Sequence, residues 1–163
     1  MRIGIALGSN LGDSRIEINQ AFSFLRQLDP GAVLSSLYTS TPLDCPPGSP
    51  EFINAVAEIS FRDGLIYLLE KLQAYEKERG RAEVRARNSP RPVDLDILYA
   101  EDLEMRTMRL VLPHPRMTER LFVLEPLSEI RPELVLPTQS RSVRVLLEEL
   151  KLGSHDQVCR KLE

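Results

Sequence analysis

Two carboxylates one residue apart, Asp94 and Asp96, lie in the apolar run from Val93 to Tyr99, directly after an arginine-rich stretch. The run has the length and composition of a strand. Strand alternation puts both carboxylates on one face and Val93, Leu95 and Ile97 on the other. At ~3.3 Å rise per residue their Cα atoms stand roughly 6–7 Å apart. That spacing suits the gripping of one or two hard cations, since paired metal ions lie ~3.5–4 Å apart. Just upstream, Arg79, Arg81, Arg85, Arg87 and Arg91 are opposed only by Glu83. Like charges flanked by Val, Leu and Ile are costly unless cations or arginines neutralise them. A cation site beside an arginine cluster suits a polyphosphate carried with magnesium. A lone Asp-x-Asp is common, and arginine runs are ordinarily solvated loop charge. The adjacency of the two carries the reading.

The elements that must position these residues follow from hydrophobic spacing. Ile3 to Leu7 reads as a first strand, and Asp13 or Ser14 caps a helix with Ile18, Ala21, Phe22, Leu25 and Leu28 as its apolar stripe. Val33 to Thr39 reads as a second strand, followed by a Pro-rich loop from Ser40 to Pro50. Phe52 to Phe61 alternates, with Ile53, Ala55, Ala57, Ile59 and Phe61 on one face and Phe52, Asn54, Val56 and Glu58 on the other. Asp63 is expected to cap a second helix through Leu65, Leu68, Leu69, Leu72 and Tyr75, ended by Gly80. On it Gln73 and Glu76 lie one turn apart on a shared face. Short strands are expected at Arg109 to Leu112 and Leu134 to Leu136, a short helix through Arg120 and Phe122, and a last helix from Val143 to Leu150. The order is strand, helix, strand, strand, helix, strand. It predicts an α+β fold with a ferredoxin-like split βαβ core, a mainly antiparallel sheet and a C-terminal extension. Residues 1–150 form the expected single domain and 151–163 a loose tail.

Bulk properties narrow the function. The chain has 163 residues and a net charge of -3, so a broad nucleic-acid surface is not favoured, and the local positive charge points to a small anionic ligand. Cys45 and Cys159 form no disulfide framework or metal pattern, and a reducing cytoplasmic home is the default. No run approaches a membrane span or a signal peptide. A Walker A sequence is absent, so an ATP site here is not a P-loop. The expected assembly is a monomer or weak homodimer, with no nucleic-acid or membrane partner.

The ordered segments Ala6-Leu7-Gly8-Ser9-Asn10-Leu11-Gly12, Tyr38 to Leu43, Phe52-Ile53-Asn54-Ala55, Pro90 to Ile97, Pro113 to Met117 and Arg120 to Leu127 resemble the 6-hydroxymethyl-7,8-dihydropterin pyrophosphokinase family. The resemblance implies transfer of pyrophosphate from ATP to a reduced pterin in folate biosynthesis. It implies that Asp94 and Asp96 bind two magnesium ions and, with Arg81 and Arg91, carry catalysis. Gln73, Glu76, Arg87, Arg91, Ile97, Arg109, His114 and Arg120 would hold ATP, Ile97 through its backbone. Thr41, Pro42, Leu43, Phe52, Asn54 and Phe122 would hold the pterin. Two aromatic faces suit a flat heteroaromatic ring, and an Asn offers the donor and acceptor that a pterin edge requires. Glu83, Asn88-Ser89 and Pro115 depart from the family pattern. The competing readings are a non-catalytic pterin- and ATP-binding relative, another two-metal transferase, and a nucleic-acid module, which the acidic pair opposes.

Overall fold

The computed structural model describes residues 1–42, 45–80 and 90–163. The first strand, β1 (Arg2–Ser9), is followed by α1 (Ser14–Leu28), whose N-cap is Asp13, with Oδ1 accepting from Ile16 N at 3.2 Å. The expected second strand divides into β2 (Val33–Leu34) and β3 (Tyr38–Ser40). Between them the Ser35 N–H donates to the Val56 carbonyl, and Ser35 Oγ accepts from Val56 N. Next come β4 (Phe52–Ser60), α2 (Leu65–Glu78) and β5 (Asp94–Ala100). A hairpin of β6 (Met105–Arg106) and β7 (Val111–Leu112) leads through a 3-10 turn (Met117–Glu119) to α3 (Leu121–Ile130), α4 (Val143–Gly153) and β8 (Cys159–Lys161).

The main sheet runs β5-β1-β4-β3-β8, with β2 also paired to β4, and every pairing is antiparallel. The inner order is the ferredoxin-like arrangement expected from the alternation of elements. Burial follows strand period two. Ile5, Leu7, Ala55, Ala57, Ile59, Leu95 and Ile97 pack toward α1 and α2. Val56 and Leu98 pack toward α3 and α4. Among the described residues no helix is long and apolar enough to cross a membrane.

Four local expectations are corrected. The tail is an edge strand, because β8 pairs with β3 and Leu162 N donates to Leu37 O at 2.8 Å. Asp63 does not cap α2; its N-cap is Gly64, at φ 93, with no side-chain cap bond. Arg109 lies outside β7, in the hairpin turn, where Thr107 Oγ1 accepts from the N–H groups of Arg109 and Leu110. Leu134 to Leu136 contributes only an isolated bridge, Val135 to Ser142.

At the end of the sheet away from the carboxylates, Gly4 pairs with Tyr99 across β1 and β5. The Tyr99 hydroxyl donates to Glu58 Oε2 at 2.6 Å, and Arg131 Nη1 holds both oxygens of the same carboxylate at 2.8 and 2.6 Å. A Cβ on Gly4 would stand 2.1 Å from Tyr99 Cε1. The ring is 1% exposed and tethered, so it has no room to yield. Gly4→Ala is therefore expected to lower unfolding free energy by about 1–3 kcal/mol or more through overpacking. Urea denaturation read by circular dichroism checks this, and an unchanged midpoint would refute it.

Candidate active site

A cleft opens on the α3 side of the sheet, where β1, β4 and β5 end together. Its floor is a cross-strand row, Asp94–Gly8–Asn54, with Asp96–Ala6–Val56 as the next row. Gly8 and Ala6 keep the middle of this floor low. A Cβ on Gly8 would meet Asn54 Oδ1 at 3.4 Å and Phe52 Cδ1 at 3.7 Å. A flat ligand can therefore approach the backbone between a carboxylate on one side and an amide on the other.

On the β5 side, Asp94 and Asp96 both line the cleft, as alternation predicts, while Leu95 between them points into the core. Arg91 lines the same wall. Its Nε is 3.7 Å from Asp94 Oδ2, too long for a hydrogen bond, and its guanidinium carbon lies 5.7 Å from the Phe52 ring centroid. Among the described residues that buried Nε has no hydrogen-bond partner, which suits it to an anionic ligand. Arg120 also lines the cleft, its guanidinium carbon 5.5 Å from the Phe122 ring centroid. Each aromatic wall thus carries a guanidinium at cation–π distance.

Phe52, Asn54, Thr41 and Phe122 all line this cleft. Asn54 is buried, and its Nδ2 donates to Ser40 Oγ at 2.7 Å, which fixes the amide orientation and leaves Oδ1 toward Gly8. Pro42 is half-buried beside Thr41. Leu43, Arg81 and Arg87 lie outside the described residues.

The remaining expected ATP ligands divide. Arg109 is exposed and pairs with Glu70 at 3.1 Å. Gln73 is exposed on α2, whereas Glu76 is buried, so the pair does not share an environment. Glu76 Oε1 accepts from Leu95 N at 2.6 Å, the amide midway between the two aspartates. It acts as a brace beneath the carboxylate strand. Ile97 has its side chain in the core. Because Leu95 N faces away from β1, alternation directs Ile97 N–H to that same outer edge of β5, where a base could accept it.

His114 is half-buried, and burial, then Arg120, then Arg116, hold its imidazole below the ordinary 6.5, with Asp94 opposing. Its Nδ1 accepts from Arg116 N at 3.2 Å, so the neutral ring carries its proton on Nε2 and acts as a donor.

Sequence reasoning missed three contributors. Arg116 lines the cleft with Arg91 and Arg120. Gly8 supplies the floor. Asn10, 3% exposed, clamps Arg91 by donating its N–H to Arg91 O at 3.2 Å and accepting from Arg91 N on Oδ1 at 3.0 Å. Its Nδ2 reaches Pro50 O at 3.3 Å. A polar residue just past an apolar strand was the available signal. Among the described residues, no three His, Cys, Asp or Glu side chains gather as a metal cluster.

Residues 4–132 match the family of 7,8-dihydro-6-hydroxymethylpterin-pyrophosphokinase, HPPK. The chain belongs to this family. It is 40% identical over 138 residues to a Pseudomonas aeruginosa 2-amino-4-hydroxy-6-hydroxymethyldihydropteridine pyrophosphokinase, covering 83% of this chain and 84% of that protein. It is 42% identical over 128 residues to the Bacillus subtilis protein of the same name, 77% of this chain and 75% of that one. A folic acid synthesis protein of Schizosaccharomyces pombe is 36% identical over 148 residues, 90% of this chain and 20% of the longer one. The fold is shared with a crystal structure of HPPK-DHPS in complex with substrates, at TM-score 0.69 and 12% identity, covering 93% of this chain and 43% of that one.

Two outcomes follow from this geometry. Glu76→Ala leaves the buried Leu95 N–H unsatisfied, and is expected to cost about 1–3 kcal/mol of stability. Glu76→Gln keeps an acceptor and should cost less; equal chemical-denaturation midpoints for the two variants would refute the brace. His114, depressed in the folded state, contributes stability that is fully present above its unfolded value of 6.5 and is lost as pH falls from there toward the lower folded value. Unfolding free energies at pH 8 and pH 5 should therefore converge when His114 is replaced by Gln. A pH slope unchanged in His114→Gln would contradict this, since the other histidine, His155, is exposed.

Proposed function

We infer that this protein transfers the terminal pyrophosphoryl group of ATP to the hydroxymethyl group of 6-hydroxymethyl-7,8-dihydropterin, in folate biosynthesis. The observation that carries the reading is one cleft with two kinds of lining. Asp94, Asp96 and three arginines line it together with Phe52, Asn54 and Phe122, Arg91 lying at the Phe52 ring and Arg120 at the Phe122 ring. This lining supports a phosphate donor and a flat heteroaromatic acceptor bound next to each other.

The pterin lies between Phe52 and Phe122, with Asn54 Oδ1 accepting from a ring-edge N–H. Each aromatic pairing adds ~0.5–1.5 kcal/mol beyond burial. Thr41 and Pro42 border the same ring, and Leu43 belongs to the expected pterin set. The pterin hydroxyl oxygen attacks the β-phosphorus, the bond from that phosphorus to the α,β-bridging oxygen breaks, and AMP leaves with that oxygen. The hydroxyl proton passes to solvent or to a phosphate oxygen. Arg91, Arg116 and Arg120 hold phosphate oxygens, and His114 donates from Nε2. Arg81, Arg87 and Arg109 extend the phosphate-binding set, and Gln73 and the outer edge of β5 at Ile97 face the nucleoside. No side chain is assigned as general base, because positioning and charge neutralisation carry most of a phosphoryl transfer.

The donor set fits magnesium. Asp94 and Asp96 are hard oxygen ligands on one face, and magnesium typically takes one or two carboxylates together with substrate phosphates, needing no larger cluster. Two ions bound there would screen the polyphosphate charge and acidify the pterin hydroxyl. The protein is proposed to act as a cytoplasmic monomer or weak homodimer.

Asp94→Ala and Asp96→Ala are each expected to lower kcat at least a hundredfold, corresponding to ~3 kcal/mol of transition-state charge stabilisation, while melting cooperatively. Incubation with ATP, magnesium and the pterin, followed by quantification of AMP, provides the measurement. Near-parental AMP formation by either variant at saturating magnesium would remove the carboxylates from the mechanism.

A further inference from the structure

The family match ends at residue 132, yet the chain past that point reaches back to both walls of the pterin half of the cleft. The helix α3 begins at Leu121 behind Arg120, an extended N-cap residue that makes no side-chain cap bond. Helix starts leave N–H groups in need of acceptors. The acceptor here comes from the C-terminal segment: Gln157 Oε1 accepts from Leu121 N at 2.9 Å. The same amide donates from Nε2 to Glu119 O at 2.8 Å and to Ser154 Oγ at 3.4 Å. Gln157 therefore grips both sides of the turn that presents Arg120 and Phe122.

The next two residues grip the opposite wall. Val158 O accepts from Thr41 N at 3.2 Å, and Cys159 pairs with Ser40. Ser40 in turn accepts the Asn54 amide and lines the cleft with Thr41. A stretch of three residues thus ties the helix start bearing Phe122 to the strand end bearing Ser40 and Thr41. The carboxylates and Arg91 belong to β5 and its approach, which these bonds do not reach.

We propose that the segment 157–159 is a strap that sets the spacing of the pterin walls, with Gln157 as a positioning residue for Phe122. This rests on the pterin assignment above. Its consequence is graded: loosening the strap weakens pterin binding most and ATP binding less, because Arg120 on the same turn is one of several arginines proposed to hold phosphate.

The test compares full-chain Gln157→Ala and Gln157→Glu with the parent, by steady-state kinetics and by equilibrium titration with the pterin and with ATP-magnesium. Gln157→Ala is expected to raise KM and Kd for the pterin about fivefold, the ratio equivalent to losing one helix cap, with the ATP constants within about twofold. Gln157→Glu keeps the acceptor for Leu121 N, so its pterin constants should fall between those of the parent and Gln157→Ala. Should Gln157→Ala fail to melt cooperatively, a rise in the pterin constants of Gln157→Glu over the parent that exceeds the rise in its ATP constants decides the matter alone. Equal shifts for both substrates, or none for the pterin, overturn the strap. A parent that forms no AMP and binds no pterin overturns the functional reading on which the strap rests; a parent that binds both substrates without turnover still reveals the split by titration.

Discussion

Two carboxylates held side by side on the edge of a hydrophobic core are the constraint around which the rest is arranged. Asp94 and Asp96 repel each other, and the repulsion is stronger where water is partly excluded. Their strand nevertheless keeps its register, because Leu95 is anchored from both directions. Its side chain is buried in the core, and its N–H is held by Glu76. Arg91 offsets part of the charge without forming a close ion pair. The contact between Arg91 Nε and Asp94 Oδ2 is 3.7 Å long.

The ferredoxin-like order explains how residues far apart in the chain meet. With β1 between β4 and β5, Gly8 stands between Asn54 and Asp94, and the two substrate halves share one floor. Small side chains at Gly8 and Ala6 make that floor, and the rigid ladders beneath supply precision that loops alone do not. Asn10 adds a second link, since one buried amide holds the backbone of Arg91 and the carbonyl of Pro50. The phosphate approach and the entry to β4 are thereby fixed to each other at the end of the central strand.

What was legible in the sequence is what period two and period 3.6 encode. The faces of β4 and β5 were readable because alternation along a half-buried strand is local and strict. Phe52, Asn54, Asp94 and Asp96 were therefore placed on the correct side. The difference between Gln73 and Glu76 was not readable. They lie near the margin of the α2 apolar stripe, and only the docking of α2 against β5 decides which one is buried. Gly64 in place of Asp63 as the α2 cap has a similar cause: a positive φ at Gly64 turns the chain into the helix without needing the aspartate.

The C-terminal residues show the same limit in its sharpest form. Cys159–Lys161 has too little apolar alternation to announce a strand, and its pairing exists because β3 offers an open edge. Tyr38 on β3 donates to Glu129 Oε2 on α3 at 2.7 Å, and Lys161 lies 3.5 Å from the same oxygen. The phenol–carboxylate contact joins β3 to α3 directly, and the β3–β8 pairing and the Gln157 amide join them through the C-terminal segment. Each bond is modest, worth about 1 kcal/mol. Because the direct link and the link through the C-terminal segment act in parallel, they limit the relative movement of Phe122 and Ser40 more than any one of them could. A segment with little hydrophobic pattern of its own can thus have its main effect on the geometry of a binding cleft.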